Sequence, residues 1–118
     1  MTPSTSTSNP PFLSAASTAD LEDWGELPEA TADLMRTSGV IIWEDGEKQA
    51  GVWECTPGPS RWSMPTNEFI YVLYGRMTVT PDGGEPTDVG PGDTMVFPKG
   101  WTGDWQIHET MRKLYVLF

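Results

Sequence analysis

Most of the chain consists of short runs of β-branched and aromatic residues, each ended by a turn that contains Gly or Pro. Such runs at intervals of about 8–12 residues, with no long helical pattern between them, are typical of all-β proteins. The predicted strands lie at 40–44, 50–56, 60–64, 68–74, 76–80, 85–89, 94–98, 101–107 and 112–118, the last two on either side of a turn at His108 and Glu109. We therefore predict antiparallel sheets that close as a sandwich, jelly roll or barrel over residues 39–118.

The residues before this region offer little that could be buried. Ser, Thr and Pro dominate residues 1–18, and such a segment cannot offset the entropy lost on ordering, so it is predicted to be a disordered tail. An arm docked on a partner subunit is the alternative. Residues 19–38 are interpreted as an N-terminal arm, with one or two helical turns between Asp20 and Leu27 and another near Met35.

The run at 68–74 is apolar on both of its alternating faces, apart from Glu68. A strand of this kind should be covered on both sides. A small barrel covers only the inner side, so the outer side needs another sheet, the N-terminal segment or a second subunit. We expect a homodimer.

Charge and the rare residue types exclude several functions. The chain has 17 Asp and Glu against 7 Lys and Arg, a net charge of −10, which disfavours binding to nucleic acids and to anionic membranes. No apolar run approaches the roughly 20 residues that span a bilayer, and the N-terminus lacks the pattern of a secretory signal, so a cytoplasmic location is expected. The single cysteine, Cys55, excludes an internal disulfide, and the single histidine, His108, excludes sites that need two histidines from one chain.

Two motifs make the strand-rich region similar to the cupin superfamily. Residues 68–75 match the end of the first cupin motif, and Gly92, Pro98 and Gly100 fall at the spacing of the second. The stretches GVWECTPG, PGDTMVFPKGWTGDW and RKLYV resemble, more narrowly, the subgroup named after (S)-ureidoglycine aminohydrolase cupin domains. The resemblance covers roughly residues 39–118 and implies a double-stranded β-helix, or jelly roll, with a ligand pocket at one barrel mouth.

The resemblance also implies where a cupin metal site would lie, with three histidines and one glutamate as ligands. The positions of the first two histidines fall on Arg61 and Ser63, or on Trp62 and Met64, and that of the third on Gly103. Only Glu68 remains, and one carboxylate does not hold a transition metal tightly. We therefore predict no metal and no other cofactor.

Glu68 and Lys113 are the candidate catalytic residues. In the cupin orientation Glu68 points into the barrel, where a carboxylate without a metal must be protonated or paired with a cation. Arg61 and Lys113 are its candidate partners. The group then forms a pocket for a small polar ligand, with Glu68 as a possible general base, or it is only a structural ion pair.

Aromatic residues complete the candidate site. The predicted ligand-binding residues are Arg61, Trp62, Tyr71, Trp101 and Trp105. Aromatic walls with a few polar groups are typical of small-ligand pockets, although the indoles could equally plug a vacated cavity. Trp43 and Trp53 are predicted to pack in the core or at the dimer interface. Cys55 is expected to be a buried, inert thiol and His108 a solvated loop residue.

Three functions remain open from the sequence. The first is metal-independent binding of a small organic molecule, for which an anion attracted by Arg61 and Lys113 is one option. The second is a metal-free enzyme that moves a proton with Glu68 and Lys113 or a tyrosine. The third is aminohydrolase-type metal chemistry with unforeseen ligands. We rank them in that order.

Overall fold

The computed structural model describes residues 9–118, which form eight antiparallel strands. The strands are β1 (Glu22–Glu26), β2 (Arg36–Asp45), β3 (Lys48–Cys55), β4 (Gly58–Ser63), β5 (Glu68–Pro81), β6 (Thr87–Val89), β7 (Thr94–Phe97) and β8 (Thr102–Leu117). The predicted all-β, jelly-roll class is confirmed, and no helix occurs among the described residues. Accordingly, nothing within 9–118 is a helix long and apolar enough to cross a membrane.

Two long strands, β5 and β8, connect both halves of the sheet. In one half of the sheet the strands pair in the order β1-β2-β3-β8-β5-β7. In the other half the order is β4-β8-β5-β6. Core side chains come from both halves, for example Ile70 and Val72 from the first and Val79 and Ile107 from the second. The interior therefore lies between the two halves, and residues that alternate along β5 and β8 face it.

Four of the predicted strands are joined into two, because the predicted breaks at Gly75 and at His108 lie inside continuous strands, while β1 is a strand that the sequence did not predict. Gly75 adopts a φ of 85° at an irregularity in the β5–β8 pairing, and a side chain there would collide with the carbonyl of Thr110. Gly75 thus supports a bulge inside β5 rather than a turn. His108 and Glu109 are likewise extended within β8, where Glu109 pairs with Arg76. Neither residue has the conformational preference that would force a turn.

The helical turns predicted in the N-terminal arm are wrong. Residues between Asp20 and Leu27 form strand β1, which pairs along the edge of β2, and those near Met35 lead directly into β2. A few helical turns without a packed face are marginal in water, whereas an open sheet edge offers backbone hydrogen bonds. Because β2 begins at Arg36, it crosses the boundary at residue 39 that the sequence predicts.

Part of the predicted tail, residues 1–8, lies outside the described residues. The end of that tail and the first residue of the arm contact the outer side of the barrel, where the Arg112 guanidinium donates to the carbonyls of Ala16 and Ala19, each at 2.9 Å. Arg112 also pairs with Glu54 at 2.9 Å. This buried guanidinium therefore holds residues 16–19 against strands β3 and β8.

Candidate ligand pocket

A pocket of about 390 Å³ opens at one mouth of the barrel. Its volume lies in the range of small-molecule sites, about 300–1,000 Å³. The residues that line it are Trp24 from β1, Glu29, Gln49 and Trp53 from β3, Trp62 and Ser63 from β4, Met64, Pro65, Thr66, Glu68 from β5, and Lys113, Tyr115 and Leu117 from β8. Most of this surface is aromatic or apolar, and the polar groups are few.

Glu68 and Lys113 meet at this pocket as a buried ion pair. The Lys113 Nζ lies 2.7 Å from Glu68 Oε2, and 4% and 9% of the two side chains are exposed. The register explains the meeting: Lys113 lies opposite Val72, and Glu68 shares the inner face of β5 with Val72. The structure therefore brings the two candidate catalytic residues together and makes Lys113, rather than Arg61, the partner of Glu68.

Two indole rings complete the surroundings of the Lys113 ammonium. Its Nζ lies 4.5 Å from the ring centroid of Trp53 and 4.6 Å from that of Trp105. Aromatic faces attract a cation through the ring quadrupole, most strongly where water is excluded. One carboxylate and two ring faces thus stabilise the charged lysine in the interior.

Trp62 also lines this pocket. Its ring stacks on Trp105 with centroids 4.4 Å apart, and its Nε1 donates to Ser60 Oγ at 2.8 Å. Trp105 behind it is fully buried, and its Nε1 has no hydrogen-bond partner among the described residues. Of these two predicted ligand-binding residues, Trp62 therefore lines the pocket, whereas Trp105 belongs to the core beneath it.

The side chains present do not fit a cupin-type metal ion. The one matching ligand, Glu68, is engaged by Lys113. At Gly103 a side chain would lie 2.5 Å from the carbonyl oxygen of Thr80 and would also collide with the indole of Trp101. The described residues contain no group of three or more His, Cys, Asp or Glu side chains placed to hold a metal.

Arg61 lies on the outer surface, away from Glu68. It alternates along β4 with the inward-facing Ser60 and Trp62, and it binds Asp82 through two hydrogen bonds of 2.5 and 2.6 Å. Asp104 is a weaker partner at 3.5 Å. The hydrogen bonds from Arg61 hold the pKa of Asp82 down at about 2.

Tyr71 and Trp101 do not line the pocket either. Tyr71 faces outward from β5 with 37% of its surface exposed, since it alternates with the buried Ile70 and Val72. Trp101 packs edge-on against Phe97 at 4.9 Å and covers Gly103. Trp101 thus fills the position that the resemblance assigns to the third histidine.

Several pocket residues were not predicted. The sequence alone predicts packing in the core or at the dimer interface for Trp53, but β3 pairs with β8 so that Trp53 lies directly opposite Lys113. The strand neighbours could not be read from the sequence. Tyr115 shares the inward parity of Lys113, a signal that alternation alone provides, whereas nothing in the N-terminal sequence indicates that Trp24 and Glu29 reach the pocket.

Cys55, Tyr115 and His108 are surrounded by core residues or hydrogen-bonded to a neighbouring side chain. Burial raises the pKa of the Cys55 thiol to about 11, which keeps it un-ionised and unreactive. Burial and the Glu68 carboxylate raise the pKa of Tyr115 to about 12, and its hydroxyl donates to Gln49 Oε1. His108 is exposed on the outer side of β8, with Nε2 2.7 Å from Thr78 Oγ1.

Comparisons with known proteins identify the fold and a family. A family model described as the EutQ-like cupin domain matches residues 43–115. Among solved structures, a DUF861-family protein of unknown function from Pseudomonas syringae pv. tomato superimposes with a TM-score of 0.79 at 21% identity. The match covers 86% of this chain, which spans only 46% of the Pseudomonas protein.

Two other structures are more similar in sequence. A Salmonella typhimurium protein named ethanolamine utilization protein Q is 25% identical, with a TM-score of 0.65 over 80% of this chain and 76% of its own. A DUF861-family protein from Thermotoga maritima is 37% identical, with a TM-score of 0.55 over 57% of this chain and 76% of its own. No curated protein matches the chain.

Proposed function

The chain belongs to the EutQ-like cupin domain family, and on that premise we propose that it is a metal-independent module that binds a small organic molecule in its barrel. The observation that carries this proposal is the buried Glu68–Lys113 pair at a pocket of about 390 Å³ with indole walls. A purely structural ion pair needs no open volume beside it. Here both members line the space that a ligand would fill.

The charge that Lys113 supplies supports the proposed metal independence. The ammonium neutralises Glu68 at 2.7 Å, so the carboxylate is already satisfied without a cation from solution. Removing one partner of a buried pair leaves an uncompensated charge at a cost of about 3–5 kcal/mol, and a metal that displaced Lys113 would leave the ammonium in that state. The lysine therefore opposes metal binding.

A second candidate is a metal-free enzyme of the cupin fold, and the same pair favours it because a carboxylate and an ammonium converge on the pocket. Glu68 would accept a proton from a bound substrate while Lys113 stabilises the charge that develops. Membership of the ureidoglycine aminohydrolase-type subgroup is a narrower proposal, supported by the stretches around Gly51, Gly92 and Lys113. We do not extend it to metal-dependent hydrolysis, because the donor set does not fit.

Thermal stabilisation by ligands tests the proposal. We expect one or more members of a small-metabolite collection to raise the melting temperature of the wild type, and a Trp62→Ala variant to respond less. A ligand at 100 times its Kd adds about 2.7 kcal/mol of stability. Stoichiometric, tightly held Mn, Ni or Zn in the purified protein would contradict the proposal.

A Glu68→Gln variant then separates binding from catalysis. If the protein is only a binding module, the wild type binds the molecule and does not convert it. If the variant keeps affinity and loses a turnover that the wild type shows, the enzyme is the correct function.

We also propose that a second copy of the chain covers the outer face of the sheet. Trp43, Ala50, Val116, Phe69 and Val96 lie opposite one another in a row across β2, β3, β8, β5 and β7. Trp43, Val116 and Val96 are 43%, 39% and 51% exposed. Because each copy carries a net charge of −10, an uncharged apolar row is the surface on which two copies repel least.

Sedimentation of the wild type and of Val116→Glu tests the homodimer. We expect a dimer for the wild type and a monomer for the variant. A monomeric wild type at about 100 μM, well above the Kd of stable dimers, would overturn it.

A further inference from the structure

The charges on the pocket surface show which class of ligand it suits. Two carboxylates, Glu29 and Glu68, and one ammonium, Lys113, are the ionisable acid and base groups that line it, apart from the Tyr115 hydroxyl. Since Glu68 and Lys113 neutralise each other, Glu29 leaves the pocket with one net negative charge.

Neither cation expected to attract an anion is available for one. Arg61 binds Asp82 on the outer surface. Lys113 lies within hydrogen-bond distance of Glu68, and its other sides face the rings of Trp53 and Trp105 at 4.5 and 4.6 Å. An anionic ligand would have to displace one of these interactions and would meet Glu29 as well.

Glu29 is free to meet a ligand. It is half-buried at the pocket, and none of the ion pairs within residues 9–118 includes it. Its backbone is held in place because its carbonyl accepts a hydrogen bond from the Arg61 amide at 3.0 Å. A carboxylate on a fixed backbone beside an apolar pocket pairs most favourably with a cation.

Indole faces add to this preference. Trp62 uses one face of its ring to stack on Trp105, so the other face is available to the pocket that it lines. Trp24 lines the same space and lies across Gly39, where any side chain would collide with it. Aromatic rings next to a carboxylate attract organic ammonium groups, because the ring quadrupole and the negative charge act in the same direction.

We propose that the pocket takes a small organic cation, an ammonium- or guanidinium-bearing molecule. Its charged head lies between Glu29 and the open face of Trp62, and its apolar part packs on Met64 and Leu117. This inference rests on the proposed binding function and names its ligand class. The net charge of −10 on the whole chain acts in the same direction, since it raises the local concentration of cations.

Three probes of one shape and different charge test the inference: benzylammonium, benzyl alcohol and benzoate. Binding is followed by NMR through the indole N–H signals of Trp53 and Trp62. We expect benzylammonium to bind about tenfold more tightly than benzyl alcohol, and benzoate to bind most weakly. Glu29→Gln should bring the cation to within about twofold of the alcohol and leave the alcohol unchanged.

Glu47→Gln is the matched control, because Glu47 is exposed in a turn outside the pocket and its loss changes the net charge equally. We expect it to preserve the preference. Equal effects of the two variants, or benzoate binding as tightly as benzylammonium, would overturn the inference. If benzyl alcohol binds and charge makes no difference, only the ligand class is wrong. If none of the probes shifts either indole signal, the binding function fails too.

Discussion

Two ion pairs of similar length lie in different parts of this molecule. Lys113 and Glu68 are 2.7 Å apart inside the barrel with 4% and 9% of their side chains exposed, whereas Arg61 and Asp82 are 2.5 Å apart on the surface with 47% and 46% exposed. The two pairs therefore differ in their exposure to solvent and not in the distance between their charged atoms. Water screens the outer pair and can replace either partner, while the inner pair has only itself and the indole rings.

The largest effect is expected from breaking the inner pair. Lys113→Met leaves the Glu68 carboxylate buried without a cation, which should lower the free energy of unfolding by about 3–5 kcal/mol. Urea denaturation followed by tryptophan fluorescence measures the loss. A Glu68→Gln/Lys113→Met double variant removes both charges and should recover part of the stability.

A double variant no more stable than Lys113→Met would contradict this reading, because the loss would then come from packing of the lysine stem. Recovery would show that the charge imbalance causes the damage. The double variant also shows whether ligand binding needs the two charges, since it removes both of them and keeps the volume of the pocket.

The second largest loss of stability is expected at Gly103, the position to which the resemblance assigns the third histidine. Gly103→Ala puts a methyl group 2.5 Å from the carbonyl oxygen of Thr80 and against the ring of Trp101. Overpacking of this kind costs about 1–3 kcal/mol, and the upper part of that range is expected because a strand backbone cannot move away. Thermal unfolding measures the cost.

A Trp101→Leu background shows how much of that cost comes from the indole. We expect Gly103→Ala to destabilise this background less than the wild type, since only the Thr80 carbonyl then remains in the way. If Gly103→Ala leaves the wild-type melting temperature unchanged, the position is not closed to side chains.

The third expected effect is a loss of stability at alkaline pH, caused by ionisation of the buried Cys55 thiol. Burial raises the pKa of Cys55 to about 11 from 9.0, so its contribution to stability is present below pH 9 and lost as the pH rises through 11. Between about pH 8 and pH 10.5 the wild type should lose about 2 kcal/mol more than Cys55→Ala, at about 1.4 kcal/mol per pKa unit. Parallel pH profiles of the two proteins would show that Cys55 ionises as easily in the folded state.

The sequence predicted the fold class, but it did not show which strands meet around the pocket. Turn residues and alternation indicated the all-β fold, and Lys113 was one of the two candidate partners of Glu68. Which strands pair across the barrel is a non-local property, so the sequence does not show that Trp53 lies opposite Lys113. Strand alternation shows that Arg61 and Trp62 face opposite sides, but it does not show which of them faces inward.

The predicted turn at Gly75 and the predicted helical turns around Trp24 are wrong for related reasons. Gly75 is compatible with a turn and with a bulge, and the pairing of β5 with β8 decides between them. The segment around Trp24 carries no strand signal of its own, since its structure depends on the edge that β2 offers. Local propensity was overridden in both places by hydrogen bonding to a partner distant in sequence.

The smallest effect is expected at the outer pair. Arg61→Met should leave the urea midpoint at neutral pH nearly unchanged, and about 0.5 M salt should remove what difference remains, because exposed charges are screened. In acid even this small contribution disappears: the pKa of Asp82 is lowered from 3.8 to about 2, so its contribution is present above pH 3.8 and lost as the pH falls through 2. We therefore expect the small difference between the wild type and Arg61→Met to be confined to pH values above that window and to be absent near pH 2, the opposite end of the scale from Cys55. A loss on Arg61→Met as large as that on Lys113→Met would mean that burial does not separate the two pairs, and the contrast between the regions would fail.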